Sequence, residues 1–306
     1  MTTGRFALDR EFWRKRRRRF MARAIDRATG LIGAKPRLRG LALRALLDRH
    51  LAPGTLCLVP FGDHALYVNP RDDKMSLKLM AGRCWQRREL EAAIFSLQRT
   101  RSLKRNCVFI DVGANIGVHS IYAMNSGAFS RAIAIEPEPN NFSLLERNIC
   151  LNGLEKRIAA IKAAASARGG ELQLMRHRRN FGAHSVERTF AKCATDAVTV
   201  AALSLDEILA QQGISVDEVG LVKIDVEGHE LAVLEGMREL REARVPIMVE
   251  LTVDRDGSDR LQRFKALLAP YYEHVLDLAD EAEGFSAPIP LPELSWRASQ
   301  VDLLIC

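Results

Sequence analysis

From Asn106 onward the chain alternates short apolar runs with longer segments of mixed polarity. The apolar runs are Cys107 to Val112, Arg131 to Glu136, Ile158 to Ala163, Gly220 to Asp225, Val245 to Glu250, His274 to Leu278 and Gln300 to Cys306. Helical segments lie between them, over Asn140 to Asn152, from about His229, and over Ser258 to Leu268. Continuous apolar runs of this length fit strands that are covered on both faces. Their alternation with helices predicts an α/β fold built on a parallel, doubly wound sheet. Residues 169–200 break the rhythm with polar, Arg-rich sequence, which predicts a hairpin or loop inserted over the site.

The upstream pattern differs. Within residues 51–104, two short apolar runs, Leu56 to Val59 and Ala65 to Val68, flank a Gly62-Asp63 turn, and one helical stretch is predicted from about Ser76 to Thr100. Residues 1–50 are rich in Arg, Ala and Leu, which favours helix. Trp13, Phe20, Ala24 and Leu31 fall on one side of such a helix, with arginines interrupting the stripe. Three zones result: a basic helical extension over 1–50, strands and helix packing on the core over 51–104, and the α/β domain over 105–306.

Charge sharpens this division. The formal net charge is +7, yet residues 1–50 hold 15 Lys and Arg against 4 Asp and Glu, leaving 30 basic and 34 acidic residues in the remainder. The basicity belongs to the extension. Its run Arg14-Lys15-Arg16-Arg17-Arg18-Arg19, beside Trp13 and Phe20, suits an anionic membrane surface or a phosphate-bearing substrate, or else a solvated tail. No apolar stretch follows it as in a secretory signal, and none elsewhere is long enough to cross a bilayer. The six cysteines, Cys57, Cys84, Cys107, Cys150, Cys193 and Cys306, form no CxxC pair. They read as reduced, buried thiols of a cytoplasmic protein, peripheral to the membrane if the basic run binds there.

The strand-to-helix junction Val108-Phe109-Ile110-Asp111-Val112-Gly113-Ala114-Asn115-Ile116-Gly117 carries most of the functional information. Gly113 and Gly117 let the backbone approach a ligand, and Asn115 tolerates the left-handed conformation of a tight turn. The dinucleotide spacing G-x-G-x-x-G is absent. An acid at Asp111, ending the strand, disfavours a nearby pyrophosphate and suits a cofactor bearing an ammonium and a sulfonium. The next strand ends at Glu136-Pro137, 25 residues after Asp111. An acid there suits the two hydroxyls of a ribose, or else the N-terminus of the following helix. Asp111 and Glu136 on consecutive strand ends favour an adenosyl ligand.

These segments resemble the FkbM family of methyltransferases. The resemblance extends to the run from Leu221 to Gly236, in which Lys223-Ile224-Asp225-Val226-Glu227-Gly228 is its most specific part, and to Asn180-Phe181-Gly182-Ala183-His184-Ser185, Leu205-Asp206-Glu207 and Asp302-Leu303-Leu304-Ile305. It covers roughly residues 105–306 and leaves residues 1 to about 75 uncovered. It implies a Rossmann-like class I methyltransferase fold with seven strands, mostly parallel, and an antiparallel C-terminal strand. It implies S-adenosyl-L-methionine at Asp111, Gly113, Asn115, Gly117 and Glu136, with Ala164 beside the adenine.

Lys223, Asp225 and Glu227 alternate with apolar residues, so along a strand they share one side. Such charges are tolerable at the carboxyl end of a central strand, where the ligand crevice opens. Asp225 is the candidate to position an acceptor hydroxyl or remove its proton, with Glu227 and His229 as competitors. The structural alternatives are a Lys223–Asp225 pair and a helix cap at Glu227. His119 and His184 are further candidates. Asp225, Glu227 and His229 are oxygen and nitrogen ligand types, but their spacing is not diagnostic and no metal is assigned.

The expected reaction is O-methylation of a hydroxylated small molecule or carbohydrate: a sugar, glycan, glycolipid or natural product. A nucleic-acid methyltransferase rests only on the basic extension, without a base-methylation or RNA-binding aromatic motif. A non-catalytic cofactor-binding module is the third reading, and the presence of Asp111, Glu136 and Asp225 argues against it.

Overall fold

In a computed structural model, residues 49–52, 54–189, 194–252, 258–278, 287–295 and 300–306 are described. The basic extension over 1–50 therefore lies outside the described residues except for Arg49 and His50, which are helical and exposed. The chain divides into two compact units, Met1–Thr55 and Leu56–Cys306. The second carries the α/β architecture.

That unit opens with a hairpin of β1 (Cys57–Pro60) and β2 (Ala65–Val68), followed by α1 (Met75–Met80) and α2 (Arg87–Arg99). The sequence predicts one helix over this last stretch. The chain instead breaks after Met80, with Gly82 at φ +73° and Gln86 at φ +44°, and restarts at Arg87. Next come β3 (Val108–Val112), α3 (Val118–Asn125), β4 (Arg131–Ile135), α4 (Pro139–Leu151) and β5 (Ile158–Ile161). The interruption of the rhythm is β6 (Ala164–Ala165), β7 (Gly170–His177) and β8 (Ala194–Leu203), a small sheet in the order β6-β8-β7. Then follow α5 (Leu205–Gln212), β9 (Val219–Ile224), α6 (Glu230–Glu235), α7 (Arg238–Glu242), β10 (Ile247–Thr252), α8 (Ser258–Leu268), β11 (His274–Asp277), β12 (Ile289–Pro290) and β13 (Gln300–Ile305).

The main sheet has the order β12-β11-β13-β10-β9-β3-β4-β5. Strands β10, β9, β3, β4 and β5 are parallel neighbours, and β13 runs antiparallel between β10 and β11. This is the expected seven-stranded arrangement with the short β12 added at one edge. Alternate residues of each central strand enter two different cores. Val108, Ile110, Val112, Val222 and Ile224 pack with α5 to α8, whereas Phe109 and Leu221 pack with α2 to α4 and the hairpin. By the same period of two, Asp111 and Lys223 lie on the Phe109 face. The strand order reverses between β3 and β9, so a crevice opens at their carboxyl ends.

Of the five described cysteines only Cys107 is buried; Cys57 is half-buried, and Cys84, Cys150 and Cys306 are exposed. The expectation of buried thiols therefore fails for most of them. Cys150 is on a solvent-facing helix position, and Cys306 follows the last strand residue.

Candidate active site

A cavity of about 400 Å³ opens at the crevice between β3 and β9. Its first wall is the glycine turn after β3. Gly113 has φ +80°, and a Cβ there would lie 1.9 Å from the Asp225 carbonyl oxygen. Only glycine lets the turn lie against the end of β9. Asn115 takes the expected left-handed conformation at φ +52°, and Gly117 starts α3 at φ +89°.

Glu136 follows β4 within this wall, 5% exposed. The backbone N–H groups of Asn115 and Glu138 each donate to one of its oxygens at 2.9 Å. Burial pushes its carboxyl up to about 7, against the pull of these N–H groups. The helix-capping role belongs to Glu138, which accepts from Asn140 N and Asn141 N. Each Glu136 oxygen thus keeps accepting capacity for a hydroxyl donor. Ala163, Ala164 and Ala165 form a wall of small side chains beside it.

Asp111 is fully buried and does not line the cavity. It accepts from Ser120 Oγ at 2.7 Å and lies 3.6 Å from Lys223 Nζ. Gly117 does not line the cavity either, and a Cβ there would lie 2.7 Å from Leu145 Cδ1. Of the expected cofactor residues, Gly113, Asn115, Glu136 and Ala164 line the cavity.

The opposite end is acidic. Asp225, Glu227, Glu250 and Asp302 all line it. Lys223, 3% exposed, donates to Asp225 at 3.3 Å. Burial pulls its ammonium down, but Asp225, Asp111 and Glu250 more than offset this and hold it above the usual range. Burial and the Asp225 charge push Glu227 up to about 8. Asp225 and then burial raise Glu250 to about 9, while burial and Asp225 raise Asp302 to about 7. Crowded like charges in a low-dielectric cavity keep part of this group protonated at neutral pH.

His229 is held at both ring nitrogens, by Ser166 Oγ at 3.0 Å and by Glu187 Oε1 at 2.8 Å. It is built as a clamp between elements. Glu227 does not cap α6: His229 occupies the cap position, and Glu230 takes the Gly228 N–H at 2.8 Å. The Lys223–Asp225 pair does form, while the Asp225 carboxylate still reaches the cavity. His119 lines the cavity with Nε2 unpartnered, its imidazole kept neutral by burial and by Lys223. His184 also lines it, with Nδ1 accepting from His177 N.

Sequence reasoning missed Glu250 and the whole contribution of the 51–104 zone. Trp85, Gln86 and Glu89 line the cavity, as do Lys74, Met75 and Lys78. Gln86 Nε2 donates to Glu250 at 2.8 Å. The one available signal for Glu250 was an acid closing an apolar strand, the same signal that marked Asp225.

The Methyltransferase FkbM domain matches residues 111–286, which begins at Asp111 and takes in the glycine turn, Glu136 and Asp225. The chain belongs to the FkbM methyltransferase family. Membership makes this a methyltransferase domain with S-adenosyl-L-methionine as its cofactor. Three relatives are consistent with this. The chain is 27% identical over 165 residues to the methyltransferase sdnD of Sordaria araneosa, covering 45% of this chain and 63% of the relative. It is 29% identical over 152 residues to the hexuronic acid methyltransferase AglP of Haloferax volcanii, covering 50% and 59%. It is 24% identical over 226 residues to the 31-O-demethyl-FK506 methyltransferase FkbM of Streptomyces tacrolimicus, covering 65% and 82%. The chain thus spans about three fifths of the length of the first two. Among solved structures it is similar to methyltransferase FkbM from Methylobacillus flagellatus, with a TM-score of 0.42 and 15% identity over 88% of this chain and 59% of that one.

Proposed function

We propose that this FkbM-family protein transfers a methyl group from S-adenosylmethionine to a hydroxyl of a sugar or another polyhydroxylated molecule. The observation that carries the reading is Asp225, which stands between the two halves of the cavity. Its backbone abuts the glycine turn, and its carboxylate reaches the acidic end while Lys223 holds it.

When bound, the cofactor supplies an electrophilic methyl on a sulfonium. Glu136 is suited to accept the ribose hydroxyls, and the small residues Ala163 to Ala165 leave room for the base. Asp225 orients the acceptor hydroxyl and receives its proton as the new carbon–oxygen bond forms and the carbon–sulfur bond breaks. Glu250, raised to about 9, and Glu227, raised to about 8, remain largely protonated at neutral pH. Protonated carboxyls both donate and accept, which suits neighbouring hydroxyls of a polyol. The relatives named for a hexuronic acid and for 31-O-demethyl-FK506 support a hydroxylated acceptor here.

The test is methyl transfer from isotope-labelled S-adenosylmethionine to a panel of neutral sugars, hexuronic acids and amines. Transfer to a hydroxylated acceptor is expected, with Asp225→Asn lowering kcat about 10²- to 10⁴-fold and leaving cofactor affinity nearly unchanged. Methylation confined to amines, or full turnover by the Asp225→Asn variant, would contradict it.

A further inference from the structure

The segment Asn180-Phe181-Gly182-Ala183-His184-Ser185-Val186-Glu187 belongs to the connection between β7 and β8, outside the glycine turn and the acidic end alike. Asn180, Phe181, Gly182, His184 and Val186 line the cavity. The segment is tied down by residues of the cofactor site itself. Asn115 Nδ2 and Asn141 Nδ2 both donate to the Phe181 carbonyl, at 3.2 and 2.9 Å. Phe181 N donates to Asp72 Oδ1 at 3.3 Å. Further along, Ser185 Oγ donates to the Glu227 carbonyl at 2.7 Å, and Glu187 meets His229. With both backbone polar groups fixed, the position of Phe181 is set.

That position is at the ribose end. The Asn115 backbone donates to Glu136 while its side chain holds Phe181, so one residue links the two. Phe181 is half-buried, stacked on His184 with ring centroids 6.0 Å apart and planes 25° from parallel. Ala163 and Ala164 line the same cavity. An aromatic ring in a cavity that small side chains also line is suited to a flat base.

We propose that Asn180–Glu187 is a strap covering the donor site, and that Phe181 is the aromatic face against which the donor's adenosine packs. This rests on the S-adenosylmethionine reading. Asn115 then acts through the strap as well as through the turn, and His229 anchors the strap's far end.

The test is calorimetric titration of S-adenosylhomocysteine and of 5′-methylthioadenosine into the wild-type protein, Phe181→Ala and Phe181→Trp. Both ligands carry the adenosine and only the first carries the amino-acid arm. Phe181→Ala is expected to weaken both by the same factor, about tenfold. Phe181→Trp should retain most of the affinity, and its added indole emission should be quenched by either ligand beyond the change seen in wild-type protein. Wild-type affinity in Phe181→Ala overturns the proposal, as does a loss confined to S-adenosylhomocysteine or unquenched emission in a Phe181→Trp protein that binds. If wild-type protein binds neither ligand, the donor reading itself falls, an outcome the variants alone cannot produce.

Discussion

At the acidic end of the cavity, three carboxyls lie above the ordinary carboxylate range: Asp302 at about 7, Glu227 at about 8 and Glu250 at about 9. The folded protein therefore holds protons that the unfolded chain releases near pH 4. Their contribution to stability is fully present below that unfolded value and is lost as pH rises through 7 to 9. The melting temperature should accordingly fall between pH 6 and pH 9.5, and Glu250→Gln, which keeps the acceptor for Gln86 but cannot ionise, should flatten the fall. Thermal denaturation across this range checks it. A wild-type melting temperature that is flat or rising, with Glu250→Gln no different, would contradict the assignment. Cationic ligands should bind with proton release at neutral pH, since a positive charge favours ionisation of the same carboxyls.

Among the elements, α4 has a second task besides following the Glu136 turn. Asn148 accepts from Tyr67 N at 2.7 Å and donates to Tyr67 O and Ile116 O, while Asn152 makes the same paired contact with Ala65. Two carboxamides thus take the place of a neighbouring strand along β2 and tie the hairpin to the loop before α3. Asn148 has no exposed surface, so Asn148→Leu would leave buried backbone groups unpaired at a cost of about 1–3 kcal/mol each. Chemical denaturation should show this loss, whereas an exposed change such as Glu146→Gln should be nearly neutral. Unchanged stability in Asn148→Leu would show that the hairpin is held by other means. These links explain why the 51–104 zone was hard to read for function. Its strands were legible from their apolar runs, but Trp85, Gln86 and Glu89 reach the cavity only because the helix breaks at Gly82 and the chain turns through a left-handed Gln86, which no periodicity marks. The β-α-β alternation, by contrast, was legible because each strand is covered on both faces, and the glycine turn because Gly113 admits no other side chain.

For the molecule as a whole, the strand order brings distant segments to one crevice. Asp111 lies under it, Glu136 and Asp225 form its walls, and Glu250 and Asp302 meet as partners across β10 and β13. Sequence spacing marked the first three because each lies at or just past the carboxyl end of an apolar run that leads into a turn. It could not reveal the pairing of Glu250 with Asp302, a consequence of the antiparallel register. Nor did it show that Asp111 is neutralised by Lys223 beneath the turn, because an acid ending a strand reads the same whether it faces a ligand or a buried lysine. No described helix is long and apolar enough to cross a membrane. S-adenosylmethionine binding in this crevice is read out by calorimetric titration with S-adenosylhomocysteine, with NAD as control and Gly113→Val as the variant. Saturable binding by the wild-type protein, absent for NAD and lost when a side chain fills the turn at Gly113, is the predicted result. No binding of S-adenosylhomocysteine by folded wild-type protein would rule out S-adenosylmethionine as the ligand of this crevice.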